Sequence, residues 1–392
     1  MTKTDVKDPW WRVPGIAPVY SMFFLEAFVL GNWIPRIPDV KLLFGFSASQ
    51  LGLCLFVVAS GTLIAFLVGG HVLKRLGIRR AYVIAMPGWA MGICLVPFMP
   101  NGIILGFLLF AAGISIGLLE VAMNTAANRL EVQSGRRLMS KAHGFWSIGS
   151  LVGALMGGAI GSFDVSIEIH FLAVLPLTAL IALVFAATMP KPATAQKETS
   201  ASGHDSAIKL PPKGLVLLCI MPIGIMIVEG VFIDWSALFV RDVLAGGALA
   251  SGLIYSAFSL VMAATRLNGD WLIDEYGPLR VARVSAVSAT FGIALFALAP
   301  NAAVAFIAAL FAGLGTAIFY PLTMSEAANR PGSEEDNVSA MSLFAFSAFM
   351  LAPPILGAII DLTNMRVAVL LVAPLAATSL LLTNELTKGK SG

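Results

Sequence analysis

The sequence predicts an all-α membrane protein with twelve transmembrane helices, and three observations carry that prediction. The first is composition. Of 392 residues, 58% are hydrophobic and 12% charged, with a mean hydropathy of +0.88. A soluble domain carries about 25% charged residues, and most residues of a globule lie near its surface. So much apolar side chain needs lipid as its solvent. The second is segment length. Continuous apolar runs fall at 14–36, 50–72, 80–99, 102–126, 139–162, 167–189, 214–240, 249–271, 280–299, 302–325, 338–360 and 365–386. Each reaches the roughly 20 residues a helix needs to cross a bilayer. Their hydrophobicity is continuous rather than alternating, which selects helices over a β-barrel. The third is the one-sided placement of Lys and Arg.

Lys3, Lys7 and Arg12 precede the first run. Lys74, Arg75, Arg79 and Arg80 follow the second, and Arg129, Arg136, Arg137 and Lys141 follow the fourth. The alternate loops hold Arg36, Lys41, Arg241, Arg366 and little else. Positive residues mark the cytoplasm, so both termini are expected inside. The net charge of +3 reflects this asymmetry and points to the lipid bilayer, not to nucleic acid. Residues 1–13 are polar and the first apolar run is too long for a signal core, so no cleavable leader is expected.

Cys54, Cys94 and Cys219 all fall inside apolar runs, without disulfide or metal spacing. They read as small buried apolar residues. No metal, cofactor or nucleotide fingerprint occurs in a sensible context, and no enzyme motif does either. The long polar interruption at 190–213 is rich in Ser, Ala, Lys and Pro, a composition that suits a solvated cytoplasmic linker. It divides the chain into an N-terminal six-helix bundle, 1–189, and a C-terminal one, 214–392. His204 in the linker reads as a solvated residue.

The two parts share a design. Ala126-Ala127-Asn128-Arg129 recurs as Ala327-Ala328-Asn329-Arg330, 201 residues on. Gly77, Arg80, Gly92, Asn101 and Gly113 recur as Gly277, Arg280, Gly292, Asn301 and Gly313. Such matches at equivalent helix ends indicate a duplicated six-helix unit. Two pseudo-symmetric halves about an axis normal to the membrane resemble the major facilitator fold.

A loop signature carries the same resemblance. Gly70-His-Val-Leu-Lys74-Arg75-Leu-Gly77-Ile-Arg79-Arg80 is similar to the major facilitator pattern G-x-x-x-D-R-x-G-R-R. It departs at Lys74, where an aspartate is usual, and at Ile78, which separates the glycine from its arginines. The second half reads Asp270-Trp-Leu-Ile-Asp274-Glu-Tyr-Gly277-Pro-Leu-Arg280. Arg75, Arg79, Arg80, Asp270, Asp274 and Arg280 are therefore candidate gating residues, able to pair across the cytoplasmic helix ends; they also serve to fix topology. The glycines suit tight turns and close backbones.

Narrower likenesses follow. Glu120-Val-Ala-Met-Asn124 in the fourth run resembles the E-x-x-x-N pattern of fucose-permease-like transporters, which implies proton coupling and sugar binding at Glu120. That family's aspartate in the first run has no match; Glu26 lies a few residues earlier. Asn32-Trp33-Ile-Pro-Arg36-Ile-Pro38, Arg137 to Gly149 and Glu229-Gly-Val-Phe-Ile-Asp234-Trp235-Ser236 are similar to the bacterial YbjJ/MosC group. So is Arg266-Leu-Asn-Gly-Asp270. MosC-type proteins are associated with rhizopines, which are amino-inositols, and the likeness implies a polyol or amino-polyol substrate.

The residues support these expectations in their own right. An ionisable group in a span is costly unless it faces a cavity or a partner. Glu26, Glu120 and Glu229 fall in the first, fourth and seventh runs, which line the cavity of the fold they resemble. They are the candidate proton-coupling groups; each also suits a structural bond between helices. Glu120, Asn124 and Asn128 share one helical face. Asp234 lies about 140° from Glu229 on an ideal helix, so both reach one cavity only if the seventh span bends, which Gly230 permits; Asp234 otherwise pairs with Arg241. His143 has Ser140 and Ser147 on its side of the helix; an imidazole there can relay protons or touch substrate, and a buried, satisfied histidine is the alternative. His71 and His170 lie near span ends and are expected at the lipid interface. Arg266 is also a candidate gating residue: it needs an anion, and Asp270 at i+4 is the local partner for an intrahelical pair that tightens the gate.

Trp33, Trp146, Trp235, Tyr255 and Tyr320 offer rings to a sugar face or an amine, or serve packing, with Trp33 also suited to the lipid interface. Asn32, Asn124 and Asn268 offer hydrogen bonds. Gly313, Gly315 and Pro321 predict close packing and a local break in the tenth span. Together these residues and likenesses predict a secondary transporter of a small-molecule substrate in a bacterial inner (plasma) membrane, coupled to protons by symport and working by alternating access as a monomer. Proton-antiport export of amphipathic compounds and a non-transporting sensor or scaffold are the alternatives.

Overall fold

The computed structural model describes residues 10–136, 138–189 and 214–388. All regular structure among these residues is helical. The passages are α1 (Ile16–Phe44), α2 (Ala48–Leu76), α3 (Ile78–Cys94), α4 (Gly102–Ser134), α5 (Met139–Ser162) and α6 (Ile167–Ala187). The second half supplies α7 (Val216–Asp234), α8 (Ala248–Leu267), α9 (Pro278–Leu298), α10 (Ala302–Ala328), α11 (Glu334–Leu362) and α12 (Met365–Thr387). Among the described residues, eleven helices are long and apolar enough to cross a membrane. The twelfth expected span, 80–99, is α3, whose 17 residues are followed by a 3₁₀ turn at Val96–Phe98. The expected linker, 190–213, lies outside the described residues, as do Lys3, Lys7, Arg137 and His204.

Local chemistry sets the helix ends. Ser47 and Gln50 form a reciprocal capping box at the start of α2, satisfying two orphan backbone donors. Asn101 caps α4 and Asn301 caps α10 through their side-chain oxygens. Gly77 and Gly277 end their helices at φ 75° and 77°, which a residue with a Cβ adopts only under strain. Gly70, expected to make a tight turn, lies within α2 with open space beside it; the turn belongs to Gly77.

The duplication extends to packing. Gly113 lies against the Val58 carbonyl, and Gly313 against the Phe258 carbonyl. Gly92 lies against Ala112, and Gly292 against Ala312. Each contact maps onto its counterpart by the offset seen in the sequence. Within the first half α1 packs on α5, α2 and α3 on α4, and α3 on α6. Within the second, α9 packs on α10 and α12, α8 on α10, and α7 on α11 and α12.

Two helix pairs join the halves, α5 with α8 and α2 with α11. On the first seam a Cβ at Gly158 would sit 3.0 Å from the Gly252 Cα, so only glycine allows this approach. Further along, the Ser150 and Tyr255 hydroxyls lie 2.8 Å apart, and Ser259 donates to the Ser147 carbonyl at 3.0 Å.

Three of the helix breaks bear on the site. The chain leaves α7 at Trp235, where φ is −120°, so the bend follows Asp234 and is not at Gly230. Asn268 separates α8 from a short helix, Gly269–Tyr276. The two parts of α10, Ala302–Thr316 and Phe319–Ala328, flank the expected break. Pro321 explains it: its ring excludes the carbonyl four residues earlier from the helix ladder, and that carbonyl belongs to Ala317.

A candidate transport site between the halves

Glu26 is fully buried on α1. Its Oε2 accepts a hydrogen bond from Trp146 Nε1 on α5 at 2.5 Å, and its carbonyl accepts one from Trp89 Nε1 on α3 at 3.2 Å. Oε1 has no hydrogen-bond partner among the described residues. Glu120 on α4 lies within electrostatic reach of Glu26. Its Oε2 accepts from Asn124 Nδ2 at 2.9 Å, the i, i+4 pairing that the shared face predicts. The stripe ends there, since Asn128 is exposed.

Glu229 on α7 meets Arg266 on α8 at 3.6 Å. The expected Arg266–Asp270 pair is thus replaced by an ion pair between helices. The cause is the Asn268 break, which sets Asp270 on a separate helix, where it is exposed. Arg266 Nε donates to the Ala317 carbonyl at 3.2 Å, the group freed by Pro321. A proline on α10 therefore helps aim an arginine on α8.

Tyr255 ties the two groups together. Glu229, Arg266 and Glu26 all act on it electrostatically, and its hydroxyl meets Ser150 across the seam. His143 is within electrostatic reach of Arg266, with its ring 5.3 Å from Phe23. The three acids from α1, α4 and α7 thus share one neighbourhood between the halves. Glu26 is sealed in it, while the Glu229 side chain is 13% exposed and that of Arg266 21%.

Other expected site residues are used elsewhere. Asn32 is buried, with its amide donating to the Phe28 carbonyl and its Oδ1 against His170 Nε2 at 3.0 Å. Trp33 is buried with its ring 6.4 Å from that of Phe171, so it is a packing residue and not a lipid-interface anchor. His170 is 1% exposed, against the interfacial position expected; Asn32 supplies the hydrogen bond that makes burial affordable. Asp234 and Trp235 are buried at the α7 break, and Trp235 Nε1 has no hydrogen-bond partner among the described residues. Asp234 does not pair with Arg241, which reaches Asp39 instead. Tyr320 on α10 is half-buried. Asn268 donates to its own helix, to the Ala264 carbonyl.

The candidate gating residues Arg75, Arg79, Arg80, Asp270, Asp274 and Arg280 are all exposed at one end of the molecule. The opposite end holds a latch that the sequence reading did not identify. Asp39 on α1 accepts from Arg241 at 2.9 Å and pairs with Arg36 Nε at 2.9 Å. Lys41 pairs with Asp242 at 2.9 Å. Asp361 on α11 accepts from the Ala48 and Ser49 amides at the start of α2, at 3.0 and 2.9 Å. Every one of these except Arg36–Asp39 joins one half to the other. A cavity of about 920 Å³ lies beside the latch, lined in part by Arg36, Asp39, Glu168 and Arg241. The signal was available: Lys41 and Asp242 are 201 residues apart, the offset of the repeat, with opposite charges. Tyr82, buried on α3 within electrostatic reach of Glu120, was also missed. Nothing in its local sequence distinguishes it from a core tyrosine.

Such geometry, with two six-helix sets meeting around buried acids, is that of a membrane transporter. Residues 19–347 match the Major Facilitator Superfamily, and the chain belongs to that family, which consists of transporters and not enzymes. It is 30% identical over 374 residues to the uncharacterized transporter y4wD of Sinorhizobium fredii, covering 94% of this chain and 95% of that one. It is 27% identical over 358 residues to the membrane protein MosC of Rhizobium meliloti, covering 91% and 86%. Among solved structures, the nucleoside transporter NupG superposes with a TM-score of 0.73 at 15% identity, over 95% of this chain and 99% of that one. The transporter FucP in its outward conformation gives 0.61 at 19% identity, over 94% and 97%. These last two likenesses concern the fold. A transporter of this fold is embedded in the membrane and takes a small-molecule substrate.

Proposed function

We propose that the protein is a proton-coupled symporter of a small polar solute in a bacterial inner membrane. The solute is a sugar, polyol or amino-polyol, and both termini are cytoplasmic. The reading rests above all on Glu26, Glu120 and Glu229 sharing one neighbourhood where the halves meet. Buried acids with one loosely held arginine are poorly compensated in a low dielectric. Protons and a solute rich in donors, or one bearing an amine, compensate them. The acids outnumber Arg266, which favours the amine-bearing solute. Similarity to MosC, and to a fucose:proton symporter whose structure is known, agrees with this class.

In the proposed cycle the latch end faces outward. With the latch closed, the site communicates with the cytoplasm. A proton on Glu120 or Glu229 and solute on Trp146, Asn124 and Tyr255 change the balance between the halves, which then rock about the α5–α8 seam. Arg75, Arg79, Arg80, Asp274 and Arg280 act at the cytoplasmic end when that end closes.

A thermal-shift screen of inositols, aminocyclitols and hexoses identifies a ligand, because binding to the native state stabilises it. Uptake of that ligand into proteoliposomes is then measured under an imposed pH gradient. Influx should rise with an inward proton gradient. In Glu120→Gln, gradient-driven accumulation should fall to that of protein-free vesicles while equilibrium counterflow persists. Accumulation driven by an outward gradient would instead indicate export. Identical behaviour of wild type and variant would remove Glu120 from the coupling step.

A further inference from the structure

Asn32 fixes the state of His170. Its Nδ2 donates to the Phe28 carbonyl at 2.8 Å, so its Oδ1 is the atom that faces the imidazole, 3.0 Å from Nε2. An amide oxygen only accepts, so Nε2 carries the hydrogen. Nδ1 is then a bare lone pair, buried and without a partner among the described residues. A neutral imidazole in this tautomer has one place for a proton, and that place is Nδ1.

The groups around it belong to the latch. Arg36 on α1 is within electrostatic reach of His170. Arg36 is itself 4% exposed and is held by Asp39 at 2.9 Å and by the Val165 carbonyl at 2.8 Å. Glu168 on α6 and Arg241 beyond the seam also act on Arg36. On α3, the Cys94 thiol donates to the Phe171 carbonyl at 3.5 Å. Asp164, in the turn before α6, lines the cavity at the latch, as do Ser166 and Ile167, one helical turn from His170.

We infer that His170 is the proton-accepting element through which the medium on the latch side governs the latch. A proton on Nδ1 puts a second positive charge beside Arg36, in a site with little water to screen it. The two cations repel, and Arg36, which lines the cavity, is the one with space beside it to move into. Once it does, Asp39 loses one of its two cations and its bond to Arg241 loses its frame. The sign follows from linkage: the state with Arg36 withdrawn binds the proton more readily, so acid on that side favours it. This role is separate from the coupling carried by Glu120. It rests on the proposed cycle only in requiring that the latch end can open.

The test therefore uses no substrate, and its failure is distinguishable from failure of the transport reading. Cys54, Cys94 and Cys219 are replaced by Ala, and spin labels are placed at Leu42 and Leu249, both lining the cavity from opposite halves. Double electron–electron resonance is recorded in nanodiscs from about pH 8 to about pH 5.5, a range spanning imidazole titration. The long-distance population should at least double on acidification. In His170→Gln and His170→Asn it should stay constant, in protein whose melting temperature matches the parent. Should neither variant fold, Arg36→Gln gives the second route: without the repelling partner, the distances should no longer depend on pH. An equal acid response in parent and histidine variants overturns the inference, as does a parent that does not respond or an undiminished response in Arg36→Gln.

Discussion

The latch and the central site are built from the same residue types and differ in how they are closed. At the latch, carboxylates and cations meet at 2.9 Å, and Asp39 has two cationic partners. At the centre, Glu229 and Arg266 stand 3.6 Å apart, and one oxygen of Glu26 has no hydrogen-bond partner among the described residues. Yet the latch is the wetter place, with Lys41 28% and Asp242 45% exposed. Tight pairing in water contributes little, because solvent screens it and the side chains lose freedom. Loose pairing in a dry site leaves a large unmet demand for charge. The latch therefore biases a conformation by small increments that are easily reversed. The centre holds the demand that a proton or a solute can satisfy.

That contrast is most exposed to test at Arg266. Arg266→Met leaves Glu229 buried without its cation and should destabilise the protein by about 3 kcal/mol, the scale for breaking a buried pair. Adding Glu229→Gln should recover most of the loss, since the stranded charge goes with it. Denaturant titration in detergent measures both; a single variant as stable as the parent would make the centre no drier than the latch.

A smaller effect is expected at Lys41. Lys41→Asp places two acids together and should cost about 1 kcal/mol of the latched state, roughly a fivefold change in population. The exchange Lys41→Asp with Asp242→Lys should restore it. Accessibility of a cysteine at Ser256, buried on the seam, to an impermeant maleimide reports the population. If the exchanged protein labels as fast as the single variant, the pair does not hold the halves together.

An effect of the same size belongs to the seam between the two regions. Tyr255→Phe removes the hydroxyl that meets Ser150 and should cost about 1 kcal/mol, the usual net worth of one hydrogen bond. Melting curves compared with Ser150→Ala and the double variant give the coupling, which should vanish if the two hydroxyls act on other partners.

Composition, run length and recurring residues by themselves determined the membrane setting, the order of the helices and the duplication. These properties follow from lipid as a solvent, which acts on each segment separately and leaves its mark in each. The glycine turns at Gly77 and Gly277 and the α10 break before Pro321 were legible for the same reason: each is a local constraint of the backbone. The three acids and the Glu120–Asn124 pair were also legible, because a charge in an apolar run needs a reason and i, i+4 residues meet on any helix. Only the tertiary structure decided the partners. It sent Arg266 to Glu229 in place of Asp270, gave Asn32 to His170, and withdrew Trp33 into packing against Phe171. It also assembled the latch from α1, α11 and the segment after α7. A side chain's partner across helices depends on how those helices rotate and break, and a chain position 100 or 200 residues away carries no local trace of that choice.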